Sequence, residues 1–134
     1  MEDRIRFIEH QGKKILFVDC SHCSADELEK LVRLVPSYVT EQPKGSVLLL
    51  ADLTGAQFDR KAVEQMKQSA VFDRPHLKRS AWYGTDTLPH VFYEHLKHFS
   101  QRDLPTFKTR EEALDWLVKD SLVQTKENTR EKET

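Results

Sequence analysis

The run at residues 46–55, Ser-Val-Leu-Leu-Leu-Ala-Asp-Leu-Thr-Gly, restricts the fold most. A continuous apolar stretch closed by an acid, a hydroxyl and a glycine describes a strand buried on both faces that delivers a polar site. Such strands lie in the middle of covered, mostly parallel sheets. There, ligands and partners meet the loops that follow the carboxyl ends of the strands. Function is therefore expected around Asp52, Thr54 and Gly55.

Other elements fall into place around that strand. Arg4-Ile-Arg-Phe-Ile-Glu9 alternates and Lys14-Ile-Leu-Phe-Val-Asp19 is nearly all apolar, so the pair around Gln11-Gly12 predicts an outer strand hairpinned to an inner one. Ser24 and Glu27 have capping-box spacing, and Leu28, Leu31, Val32, Val35 and Val39 form one helical stripe. Pro36 interrupts that stripe, where a helix either kinks or ends a turn early, and the continuing pattern predicts a kink. Pro43-Lys-Gly45 then breaks the chain before the central strand. Asp59 caps a second helix with Ala62, Val63, Met66 and Ala70 inward and with Phe58 and Val63 spaced as a hydrophobic staple; it stops before Pro75.

The segment Leu77-Lys-Arg-Ser-Ala-Trp-Tyr83 reads as a strand ending at Gly84, followed by a third helix with Leu88, Val91, Phe92, Leu96 and Phe99 on one face. Leu104-Pro-Thr-Phe-Lys108 is a short last strand. Thr109 and Glu112 repeat the capping-box spacing and open a final helix through Ala113, Leu114 and Leu117 to about residue 120. The order β-β-α-β-α-β-α-β-α predicts an α/β domain over residues 1–120, with a single mostly parallel sheet and an antiparallel N-terminal edge strand. Residues 121–134 are polar and mixed in charge, which predicts a flexible tail.

Composition narrows the functional classes. A chain of 134 residues with 38% hydrophobic content suits one domain with a sizeable core. Lys and Arg (21) nearly balance Asp and Glu (22), so no global field favours nucleic acid or an anionic membrane. The basic segment Arg74-Pro-His-Leu-Lys-Arg79 beside Trp82 and Tyr83 accordingly reads as solvated charge before a core strand. The N-terminus lacks an apolar signal core and no apolar run approaches bilayer length, which predicts a soluble cytoplasmic protein. Two cysteines are too few for a disulfide scaffold.

The motif Asp52-Leu-Thr-Gly55 makes a good turn on local grounds alone, because Asp, Thr and Gly are ordinary turn residues. Together with the element order it also resembles the STAS (SpoIIAA-like) superfamily, the anti-sigma-factor antagonist fold. The likeness is greatest to a branch described as similar to Sec14/CRAL-TRIO lipid-binding domains, and it covers about residues 4 to 120. In antagonist proteins the strand ends in Asp-Ser-Ser-Gly, and a partner kinase phosphorylates the hydroxyl before the glycine. The resemblance implies that Asp52 matches the acid, Thr54 the phosphoacceptor and Gly55 the glycine. Leu53 departs from the pattern, and Ala56-Gln-Phe58 lengthens the loop before the helix. No catalysis is implied.

Cys20-Ser-His-Cys23, set between an apolar strand and a capped helix, is the second constellation. A Cys-x-x-Cys at a helix N-terminus can carry dithiol chemistry because the helix dipole stabilises a thiolate. Against a thioredoxin-like fold stand the preceding hairpin, the late position of Pro105 and the lack of a terminal β-hairpin. In the STAS-like branch this position commonly reads Asp-Tyr-Ser, so Asp19-Cys-Ser21 looks like a variant of a structural strand end. One Cys pair and His22 fall short of the four ligands of a tetrahedral zinc site, and no second Cys pair exists. His95 shares the third helix's apolar stripe and reads as a core or boundary histidine, while His90 and His98 fall elsewhere, so no metal is expected. Serine-nucleophile, phosphate-loop and dinucleotide motifs are missing, and no cofactor is expected.

The sequence thus predicts a non-catalytic regulatory or binding module. A protein partner docks on the loop at residues 52–58, including Asp52, Thr54, Gly55 and Phe58, and on the second helix, with Thr54 as the point of modulation. A second reading places a lipid or other apolar small molecule between helices and sheet, lined by Met66, Phe72, Phe92 and Phe99. A third is a redox protein in which Cys20 attacks and Cys23 resolves. Homodimerisation through the strand at residues 4–9 fits the pattern, as does protection of that edge by Arg4, Arg6 and Glu9.

Overall fold

The computed structural model describes residues 2–101 and 104–119. Its elements are β1 (Ile5–His10), β2 (Lys13–Asp19), α1 (Ala25–Val39), β3 (Val47–Asp52), α2 (Arg60–Asp73), β4 (Leu77–Tyr83), α3 (His90–Ser100), β5 (Thr106–Phe107) and α4 (Arg110–Leu117), with single 3-10 turns at Glu2–Arg4, Arg74–His76 and Thr85–Thr87. This is the order expected from the sequence. The tail expected at residues 121–134 lies outside the described residues.

The five strands form one sheet in chain order, with β1 and β2 antiparallel and every later pair parallel. The two-residue turn Gln11-Gly12 closes the hairpin, pairing His10 with Lys13. Because each strand adds beside the previous one, right-handed crossovers put α1, α2 and α3 on the same face. Their apolar residues pack with Leu16, Val18, Leu49 and Ala51 in the larger core. Ala113, Leu114 and Leu117 of α4 cover Ile15, Phe17, Leu48, Leu50 and Ala81 on the opposite face. On that face, the guanidinium groups of Arg6 and Arg110 lie 5.0 and 4.6 Å from the Phe17 ring centre, shielding a sheet surface that a single helix leaves partly uncovered.

Caps behave as local chemistry dictates. Ser24 and Glu27 form a reciprocal capping box, Asp59 accepts from the Ala62 amide at 2.8 Å, and Thr109 accepts from the Glu112 amide at 3.2 Å. Helix α1 does not end early at Pro36 but runs on to Val39. Pro36 has no N–H, so the carbonyl of Val32 loses its helical donor. The hydroxyl of Ser69 on α2 takes that place, donating to Val32 O at 2.8 Å in a buried contact.

Helix α3 departs from the expected face. Leu96 is buried and Leu88, Phe92 and Tyr93 pack on the core, whereas Val91 and Phe99 are exposed. His95, expected at the core or its boundary, is exposed as well. The chosen face brings the Tyr93 hydroxyl to Leu104 O at 2.6 Å, tying the helix to the chain that enters β5. No helix among the described residues is long and apolar enough to cross a membrane.

Candidate functional site

Three polar residues end adjacent strands in one row. Asp19 of β2 pairs with Asp52 of β3, which pairs with Tyr83 of β4. Each acid bonds its own chain two residues on: Asp52 accepts from the Thr54 amide at 2.9 Å, and Asp19 from the Ser21 amide at 3.1 Å and its hydroxyl at 2.6 Å. Asp-x-Ser and Asp-x-Thr are thus the same Asx-type strand ending used twice. The repetition was visible in the sequence, but its meaning required the register.

Backbone pairing continues past the strands and fixes the loop after β3 from both sides. Cys20 N donates to Asp52 O at 2.9 Å, His22 N to Thr54 O at 2.7 Å and Leu53 N to Tyr83 O at 3.0 Å. Further along, Gln57 N donates to Cys23 O at 2.9 Å and the Thr87 hydroxyl to Ala56 O at 2.7 Å. Side-chain packing tightens this arrangement at two glycines with φ of +68°. A Cβ on Gly55 would lie 2.4 Å from His22 Nδ1, and one on Gly84 would lie 2.1 Å from Thr54 Oγ1.

Thr54 and Gly55 face solvent, Asp52 is half-buried, and Phe58 packs against the larger core. Leu53 explains its own departure from the Asp-Ser-Ser-Gly pattern, since it is buried in that core. Ala56 is buried too, and its amide closes a turn onto Leu53 O at 3.0 Å. The loop therefore alternates anchored apolar residues with an exposed Thr54-Gly55 pair.

Cations and a phenol surround the row. Arg4 donates to the carbonyls of Asp19 and Ser21, both at 3.0 Å, and its guanidinium lies 3.8 Å from the Asp19 carboxylate. Burial raises the Tyr83 hydroxyl's pKa; the Asp52 carboxylate adds to the rise and the Arg110 guanidinium opposes it. The sequence marks Arg4 only as an edge guard and Tyr83 only as an aromatic beside a basic segment, and Arg110 not at all, because only strand register and the start of α4 bring Tyr83 beside Asp52 and Arg110.

Cys20 and Cys23 are free thiols, both buried. Burial raises the pKa of each; at Cys20 the neighbouring Cys23 and the acids Asp19 and Asp52 raise it further, against a smaller opposing effect of Arg4. This environment favours the protonated thiol, whereas attack on a disulfide needs the thiolate. Among the described residues no group of three or more His, Cys, Asp and Glu is placed to hold a metal ion.

A second feature lies between the sheet and α1, α2 and α3: a cavity of about 100 Å³, walled mainly by apolar side chains from all four. Of the four residues expected to line such a pocket, Met66 is in its wall. Phe92 packs half-buried on the core, and Phe72 and Phe99 are 64% and 40% exposed. Phe72 faces away because it sits one residue before Asp73, which takes the inward position at the end of α2.

No protein-family model matches the sequence, and no curated protein matches it. Among solved structures, an uncharacterized protein from the DUF3478 family with a SpoIIAA-like fold, from Shewanella loihica, is similar: the TM-score is 0.65 and the identity 19%, over 84% of this chain and 91% of that chain. The fold is SpoIIAA-like. Within the SpoIIAA-like frame, the polar loop after β3 and the cavity under α2 are the two places where this chain's own residues offer chemistry.

Proposed function

We propose that this chain is a non-catalytic regulatory module of STAS type that docks a protein partner through residues 52–58 and α2, with Thr54 as the modulated position. The observation that carries this reading is an exposed threonine on a loop held by bonds from both neighbouring strand ends. Such a loop presents one residue without having to order itself on binding, which lowers the entropic cost of recognition. Phosphate on Thr54 would place about two negative charges beside the half-buried Asp52, altering a docking surface by charge alone.

A photo-crosslinking residue at the exposed Gln57 tests this in the source cells, with one at the exposed Glu41 as control. The expected result is a protein adduct at position 57 and not at 41, changed in yield by Thr54→Glu. Equal adducts at both positions, or none at 57, would overturn it.

The cavity supports a second reading, an apolar small molecule held between helices and sheet.

A further inference from the structure

The cavity has one feature that an ordinary packing void lacks. Asp73, the last residue of α2, forms part of its wall at 6% exposure, and Asp73 Oδ1 has no hydrogen-bond partner among the described residues. A buried carboxyl is ordinarily paired or fully hydrogen-bonded, because desolvating its charge is costly. The surrounding wall consists largely of Val, Leu, Ala, Met and Trp side chains.

Ser69, Arg74, Ser80 and Ser100 are the other polar residues of the wall, and two of the serines have committed their hydroxyl hydrogens elsewhere. Ser69 donates to Val32 O at 2.8 Å and Ser100 to Lys97 O at 3.0 Å. What the wall offers an occupant is therefore acceptor capacity, concentrated at Asp73. Arg74 also lines the cavity, and its guanidinium donates to Phe99 O at 3.0 Å; the Lys67 ammonium lies 5.0 Å from the Phe99 ring centre, and Lys97 and His98 are exposed on α3. His76 bonds Gln42 O at 2.8 Å, Glu29 of α1 pairs with Arg33 and Lys61, and Cys20 is a protonated thiol in the wall.

We propose that this cavity binds a small apolar amine, its hydrocarbon part filling the space beneath α2 and α3 and its ammonium donating to Asp73 Oδ1. Charge complementarity selects this occupant. An ammonium satisfies the orphan acceptor and neutralises the carboxylate, whereas an anion would meet like charge and a hydrocarbon would leave Oδ1 unsatisfied. Size agrees, since an apolar cavity of roughly 150 Å³ accepts benzene and one of about 100 Å³ takes a short alkyl group. The proposal rests on the second reading above, that the cavity holds an apolar small molecule. Burial raises the Asp73 carboxyl's pKa to about 7, so the partner of the ammonium forms only as pH rises through that value.

Propylamine and its neutral counterpart 1-propanol, titrated into the full chain and followed by amide chemical shifts, test it. The amine is expected to shift the cavity-wall residues Val18, Ala51 and Leu96, to bind several-fold tighter at about pH 8 than at about pH 6, and to lose about tenfold in affinity in Asp73→Asn. The pH comparison uses the natural chain and holds even if the variant folds poorly. Equal binding of amine and alcohol, indifferent to pH and to Asp73→Asn, would overturn the amine while leaving an apolar-ligand cavity. Binding of neither probe would overturn both.

Discussion

Asp73 passes from water to an apolar wall on folding, and its carboxyl pKa rises from the usual 3.8 to about 7, with burial as the cause. Between those values the native state holds a proton that the unfolded chain has released. Stability contributed by the neutral carboxyl is therefore complete below about pH 4, falls as pH rises toward 7, and levels off above. At roughly 1.4 kcal/mol per pKa unit the loss amounts to a few kcal/mol. Asp73→Asn is expected to flatten this slope and to stabilise the protein at about pH 8, as checked by denaturant midpoints at about pH 5 and pH 8. A second test at the same scale concerns Gly55. A methyl there strikes His22 Nδ1 and must also adopt a φ of +68°, so Gly55→Ala should cost about 1–3 kcal/mol. In a His22→Ala background the steric part disappears and about 1 kcal/mol of backbone strain remains. Thermal denaturation of the single and double variants separates the two; an unchanged cost would show that His22 moves freely. Neither residue's role was legible in the sequence. Asp73 looks like any acid near a helix end, and only burial makes it unusual; His22 reads only beside the Cys pair, as part of an incomplete zinc site, and in the structure its ring lies over Gly55.

Elements, by contrast, were readable wherever their signals are local. Caps at Ser24, Asp59 and Thr109 act within one turn, and the strands of the sheet centre announce themselves as apolar runs, so neighbours elsewhere in the chain hardly alter them. The face of α3 depends on distant partners. Val91 and Phe99 share helical spacing with Leu88 and Leu96, but Tyr93 has a carbonyl to reach at Leu104, and the helix turns accordingly. The α1–α2 contact carries a testable compensation of the same kind. Ser69→Ala removes the donor that replaces the one missing at Pro36 and is expected to cost about 1–3 kcal/mol. In Pro36→Ala the helix supplies its own N–H to Val32 O, so the same Ser69→Ala change should cost less. Additive losses in that double-mutant cycle would mean that the two groups do not share the carbonyl.

On the scale of the whole molecule, the two thiols report on the core. Cys20 and Cys23 sit in the larger cluster with Leu28, Leu31 and Leu53, and Cys20 also lines the cavity beneath α2. Alkylation of both is expected to be slow in the native protein and to accelerate with denaturant in parallel with global unfolding, measured by quenched labelling and mass spectrometry. Rapid native labelling of one thiol would point to a local opening at the end of β2 and reopen the redox reading. The sheet order has a different consequence. Each strand from β2 onward is laid against the one made just before it, and no strand has to be threaded between two that are already paired. A chain emerging from the ribosome can zip this sheet together from its first hairpin outward, with every new crossover closing a short loop onto a finished edge. The central strand at β3, the most apolar and aggregation-prone segment, then has its β2 template waiting when it appears.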